Sequence, residues 1–292
     1  MALQSVPVAS AGIGVGLTPL GAAICGETFA THGLEIQRHV TEGAPNVGKE
    51  VMSGKIKFGH FAAHAAVRAV NDGDDMVVIA GGFNQEFLVG APGVTDLSEL
   101  EGQPVLSGRP RDLHHFYVEM TFRDIMKKPG EHFILEDANR FQALFDGKVK
   151  AATLSTPSAV RARQAGCKIL VDYAPYDLSF GFGGVMVRRD LLTKEPELVD
   201  AYLCALMDGL KLYKADRAFG VKMHHTINEV PLEVAEETYD VAHKGYADVP
   251  DPATPGLKRI IDYWKEEGYL DQTFSIDDVV DSGPIRRVCG LE

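Results

Sequence analysis

The chain has 292 residues, 45% of them hydrophobic and 24% charged. Those fractions are ordinary for a globular protein and exclude disorder, coiled coil and collagen-like structure as the main state. A net charge of −12, from 29 basic and 41 acidic residues, makes a poor partner for nucleic acid or anionic lipid, whose phosphates need clustered Lys and Arg. A local site can still oppose that global sign and hold a small anion.

The segment Ser5–Ile13 reads as a strand entering a Gly-rich turn. Leu20–Thr31 has helical spacing and stops at Gly33, a C-cap position. Leu34–Val40 alternates as a strand does. After a loop at Gly43–Asn46 come a short helix at Val47–Ser53, a strand at Lys55–Phe61, a helix at Ala62–Val70, a turn at Asp72–Asp75 and a buried strand at Met76–Gly82.

A second block repeats the rhythm. It has a helical turn at Leu97–Leu100, a strand at Pro104–Leu106, a helix at Asp112–Met126 and a strand at His132–Asp137. A short helix at Arg140–Phe145, a strand at Lys148–Ser155, a helix at Thr156–Gln164 and a strand at Lys168–Tyr173 follow. Gly181–Leu192 reads as a return strand. Helices are expected at Glu197–Tyr213, Leu232–Tyr246, Thr254–Gly268 and Ile276–Ser282, with His224 and His225 on the surface. Alternating strands and helices with short connections argue two α/β lobes with mostly parallel sheets.

The cysteines Cys25, Cys167, Cys204 and Cys289 form no CxxC pair, so structural zinc and dithiol redox chemistry have no support, and reduced, mostly buried thiols are expected. Cys25 falls within a helix, a poor setting for a nucleophile. The opening MALQSVPVASAGIGVGL lacks a basic n-region, so it does not read as a signal peptide. The chain as written is expected in the cytoplasm, or in the periplasm or outside the cell if a leader was removed. No apolar run approaches the ~18 residues of a spanning helix, and no membrane insertion is expected.

Five motifs carry candidate chemistry. Gly12–Gly16 reads GIGVG, not the GxGxxG of dinucleotide binding, and Thr18-Pro19 delays the helix. It is read as a close-approach loop at the carboxyl edge of a parallel sheet, where α/β folds bind ligands. His60 and His64 stand at a strand-to-helix corner, as ligand contacts, as acid/base groups or as packed imidazoles. Arg109, Arg111, His114 and His115 flank a helix start capped by Asp112, which is either an anion site or a solvated helix end. Thr153, Ser155 and Thr156 precede a helix beginning at Pro157, with Thr156 as its cap; their hydroxyls are also placed to meet a ligand. Tyr173, Tyr176, Phe180 and Phe182 form an aromatic wall or a core patch, and Gly181, Gly183 and Gly184 a hinge.

Four segments in order carry a resemblance over most of the chain. They are ICGETFATHGLEIQRHVTEGAPNVGKEVMSGKIKFGH, DLSELEGQPV, ALFDGKVKAATLSTPSAVRARQAGCKILVD and MVRRDLLTKEPELVDAYLCALMDGLKLYKAD. Together they resemble the type II periplasmic binding proteins, in the branch of sulfonate, taurine and nitrate uptake and of the thiamine-pyrimidine-synthase-like proteins. The resemblance implies a two-lobed Venus-flytrap α/β fold with two mixed, mostly parallel sheets and a hinge of two crossings. Residues 1–85 plus 184–292 would form one lobe and residues 86–183 the other, with the ligand in the cleft between them.

By position the resemblance carries ligand binding to Gly14, Thr18, His60, His64, Phe83, Asn84, Arg111, His114, His115, Thr153, Ser155, Thr156 and Tyr176. The cysteine-rich iron stretch of the pyrimidine synthases is FGFGG here, so no iron, other metal or cofactor is implied. The cysteine position of the related sulfinate desulfinases falls near Gly14. The expected function is capture of a small organic anion (a sulfonate, carboxylate or aromatic acid), with an ABC permease as partner if the protein is exported. The alternative is an enzyme on the same fold, a decarboxylase, desulfinase or hydrolase using His60, His64 and His114 for acid/base chemistry.

Overall fold

The computed structural model describes residues 3–11, 14–41, 43–83, 85–128, 130–133, 140–176 and 184–291. The alternation of QSVPVASA buries Val6 and Val8 on one face and yields strand β1 (Gln4–Ala11). Helices α1 (Thr18–Cys25) and α2 (Thr28–Thr31) follow. The sequence pattern predicted one helix here, but Glu27 between them has a left-handed φ of 56°. Gly26 is pressed against the neighbouring helix as well: a Cβ there would lie 2.8 Å from Leu212 Cδ1. Packing, not local propensity, breaks the helix.

Strand β2 (Leu34–Thr41), helix α3 (Ala44–Met52), strand β3 (Phe58–Phe61), helix α4 (Ala63–Asn71) and strand β4 (Met76–Ala80) continue the order read from sequence. Strand β5 (Glu86–Gly90) was missed. All five of its residues are buried, so it shows no alternation, and it sits where only a crossing was expected. Next come β6 (Pro104–Leu106), α5 (Leu113–Met120) continued by a wider π-helical turn at Thr121–Met126, β7 (Glu131–Phe133), α6 (Arg140–Phe145), β8 (Ala151–Ser155), α7 (Ser158–Gln164) and β9 (Ile169–Asp172).

Strand β10 (Gly184–Arg188) returns the chain to the first sheet, and α8 (Leu191–Lys194) and α9 (Pro196–Ala215) follow. Helix α10 (Arg217–Ile227) was not foreseen. Gly220 interrupts its pattern because a Cβ there would meet the Tyr239 ring at 2.3 Å. The helix is started by the Asp216 carboxylate, which accepts from the Phe219 N–H. Helices α11 (Leu232–Ala242), α12 (Pro255–Glu266) and α13 (Gly283–Val288) complete the order. The stretch expected as a helix at Ile276–Ser282 is helical only at Ile276–Asp278. Val280 instead bridges Val78 and covers the free edge of β4.

The chain divides into two compact units, Met1–Asn84 with Phe180–Glu292, and Gln85–Ser179. Among the described residues the first unit's sheet runs β2-β1-β3-β10-β4 and the second's β7-β6-β8-β5-β9. In the first, β10 is antiparallel to β3 and β4 while β1, β2 and β3 are parallel. In the second, β5 is antiparallel to β8 and β9 while β6, β7 and β8 are parallel. Both sheets are therefore mixed, and in α/β folds the carboxyl ends of parallel strands are where ligands bind.

Candidate functional site

In the second unit, the end of β6 at Leu106 pairs with Ala152, β8 runs on beyond it, and Glu86 at the start of β5 pairs with Ser155 at the end of β8. This edge gathers most of the candidates from that half of the sequence. Thr153 is fully buried, and its Oγ1 lies 2.8 Å from His114 Nδ1, a hydrogen bond that sets the imidazole's orientation. Thr156 is also buried, and its hydroxyl donates to the Gln85 carbonyl at 3.4 Å instead of capping α7. The helix starts one residue later than expected, with Pro157 at the cap position. Asp112 precedes α5 as foreseen, yet its carboxylate accepts from the Arg109 N–H at 3.0 Å. Arg111 is exposed with a left-handed φ of 70°, a conformation that side-chain-bearing residues rarely adopt. His115 is half-buried on the first turn of α5.

Two more residues join this edge: Glu86, the last residue of the crossing at 83–86 to which the resemblance carried the site, and Arg140, which the sequence did not single out. Glu86 is 1% exposed and is felt electrostatically by Tyr117, Tyr173 and Arg140. Arg140, at the first position of α6, has its guanidinium pKa lowered by burial, opposed by Glu86 and Asp112. Its Nη1 is buried with no hydrogen-bond partner among the described residues. Its Nη2 fills the space beside Gly108, where a Cβ would come within 2.8 Å. Only a contact across the sheet edge identifies Arg140, and no local motif carries it.

The corresponding edge of the first unit is built around Gly14, whose φ of 137° suits glycine. Its N–H donates to Asn228 Oδ1 at 2.9 Å, so this amide is engaged within the protein. The Asn228 amide nitrogen is then the donor to His224 Nδ1, 3.0 Å away, and His224 Nε2 lies 2.9 Å from the Tyr213 hydroxyl. His224 is fully buried, which corrects its expected surface position, and burial lowers its pKa to about 4. A neutral ring accepting at Nδ1 carries its proton on Nε2, so Nε2 donates to Tyr213. Thr18 is buried beside Tyr246, whose hydroxyl donates to the Val15 carbonyl at 2.6 Å.

The remaining candidates occupy other settings. His60, on β3, is 1% exposed, with Nε2 2.6 Å from the Tyr202 hydroxyl. His64, on α4, is 8% exposed, with its ring edge-on to Trp264. Burial, assisted by Arg38 for His60 and Arg68 for His64, lowers both pKa values to about 3. Both are thus neutral near pH 7 and cannot serve there as proton donors. Phe83 packs edge-on against Tyr246 and fills the space left by Gly245. Tyr176 is exposed in the turn after β9. Tyr173 belongs to the core: it stacks on Tyr117 and hydrogen-bonds Thr121. Asn84, Phe180 and Phe182 lie outside the described residues. Among the described residues no group of three or more His, Cys, Asp or Glu could hold a metal ion, and no helix is long and apolar enough to cross a membrane.

No family model matches the chain, and no curated protein matches it by sequence. Solved structures do match. The ligand-binding component of an ABC-type import system from Staphylococcus aureus, with zinc bound, superposes with a TM-score of 0.81 at 15% identity, covering 98% of this chain and 99% of that one. The periplasmic aliphatic sulphonate-binding protein SsuA from Escherichia coli gives 0.75 at 15% identity over 94% and 97%. The desulfurization enzyme DSZB gives 0.71 at 12% identity over 98% and 99%. Likeness of this extent across nearly the whole of each chain, together with the two mixed sheets, gives the chain the periplasmic-binding-protein fold.

Proposed function

We propose that this protein is the substrate-binding component of an ABC-type import system and captures a small organic anion, a sulfonate, carboxylate or aromatic acid, outside the cytoplasmic membrane for delivery to a permease. The observation that carries the reading is Arg140. A buried guanidinium nitrogen with no acceptor among the described residues is unfavourable by roughly 1–3 kcal/mol or more, and such groups call for an explanation. An anionic oxygen would supply the acceptor, in a charge-assisted bond. His114, oriented by Thr153, and the hydroxyls of Ser155 and Thr156 stand on the same sheet edge, at the ends of β6 and β8, where α/β folds hold ligands. The structural likeness to import-system binding proteins agrees with this use of the fold.

Native mass spectrometry after incubation with a mixed pool of sulfonates, carboxylates and aromatic acids tests it. One unchanged ligand per chain, lost in Arg140→Met, is expected. Retention of the ligand by Arg140→Met would remove the anion role from this arginine. A mass change in the pool that depends on His114 would replace capture by catalysis.

A further inference from the structure

A second feature of the first unit is unrelated to that sheet edge. Helices α1 and α2 leave a groove along β2, the free edge strand of their sheet. Its volume is 310 Å³, and Leu3, Ile24, Phe29, Ala30, Leu34 and Ile36 form its apolar walls. Leu3 is 44% exposed there, a large apolar side chain left to water. The size reaches the lower range of small-molecule sites.

Arg38 closes one end of the groove. It is half-buried, and its Nε donates to Ser10 Oγ at 3.3 Å. Among the described residues it makes no ion pair. Elsewhere on the surface Arg188, Arg189, Arg217 and Arg287 each meet an aspartate at 2.7–3.2 Å. Glu27 and Glu35 also line the groove, yet both are exposed and neither reaches Arg38. One cation, half-desolvated and unmatched by any carboxylate among the described residues, thus stands at the end of an apolar trough. Its neighbours Cys25 and His60 are both uncharged near neutral pH, since burial raises the thiol's pKa and lowers the imidazole's, so neither offsets nor adds to the Arg38 charge.

We infer that this groove binds an amphiphilic monoanion, with an aliphatic body along the α1–α2 wall and a carboxylate or sulfonate head on Arg38. The head completes a forked, charge-assisted hydrogen-bond pair with the guanidinium. The body removes the exposed apolar wall from water. The two glutamates on the rim disfavour a second negative charge and orient the ligand head-inward.

Sodium octanoate is the probe, titrated calorimetrically into the intact chain. One site per chain is expected, with affinity falling roughly three- to fourfold for each methylene removed in the hexanoate and butanoate series, the transfer free energy of a buried methylene. Arg38→Gln should weaken binding by about tenfold or more. Ala30→Trp, at an exposed groove position, should fill the trough and abolish binding without touching the core. Arg140→Met should leave octanoate binding unchanged, which separates this site from the one proposed above. Failure to bind at millimolar octanoate would overturn the inference, as would equal binding by wild type, Arg38→Gln and Ala30→Trp. Loss of the signal in Arg140→Met alone would place the probe in the second unit and overturn it as well.

Discussion

Asn228 concentrates two roles in one side chain. Its oxygen holds the Gly14 amide and its nitrogen fixes the tautomer of a buried histidine. Asn228→Ala leaves the buried His224 Nδ1 and the half-buried Gly14 N–H without their partner, at a cost of about 1–3 kcal/mol for the first and somewhat less for the second. Denaturation of that variant should therefore show a loss of roughly 2–5 kcal/mol. Asn228→Asp tests the tautomer directly. The carboxylate still accepts from Gly14 but cannot donate to His224 Nδ1, so the ring must turn its proton onto Nδ1 and accept from Tyr213. An anion beside the ring also favours its charged form. NMR titration should then show the His224 pKa rising from the low value that burial gives it. An unmoved pKa in Asn228→Asp would mean that the asparagine does not face the ring as described.

Elements are placed by close approaches that single residues permit. Helices α1 and α9 cross at Gly209, where a Cβ would lie 2.5 Å from the Ala23 nitrogen. Backbone cannot give way as a flexible side chain can, so Gly209→Ala must push the helices apart. The expected loss is about 1–3 kcal/mol, or several degrees in melting temperature; an unchanged melting temperature would refute the contact.

The same kind of contact marks where sequence reading stops. The strands with alternation or a clear apolar run, β1, β2 and β4, were legible, as was α12, whose Thr254 accepts from the Leu257 N–H as a cap should. Helix α10 was not legible, because Gly220 looks like a breaker until Tyr239 is seen against it. Strand β5 was lost because full burial erases the period that announces a strand. At the candidate site Asp112 before α5 was readable as local grammar, whereas Thr156 read as a helix cap turns instead to the Gln85 carbonyl. Arg140 and Asn228 were not readable, since each acts through residues distant in sequence.

At the scale of the molecule, charge is distributed unevenly in its consequences. His60, His64 and His224 all lie in the first unit, and burial lowers their pKa values to about 3, 3 and 4. In the unfolded chain a histidine titrates near 6.5. Between those limits the unfolded state binds protons that the native state refuses, so stability is complete above pH ~6.5 and falls as pH falls toward the folded values. At pH 5 each histidine has lost about 2 kcal/mol, and the three together roughly 6, on the order of a whole domain's stability. Carboxylates with unfolded pKa values near 4 contribute little in that window. Trp264 is the chain's single tryptophan and lies buried in this unit, so its fluorescence reports the unit alone. Its urea midpoint should drop steeply from pH 7 to pH 5, and the drop should shrink in His60→Gln, which removes one of the three titrations whatever it does to stability at pH 7. A midpoint equal at the two pH values would show that the native state accepts those protons, and that the imidazoles are not sealed in the core.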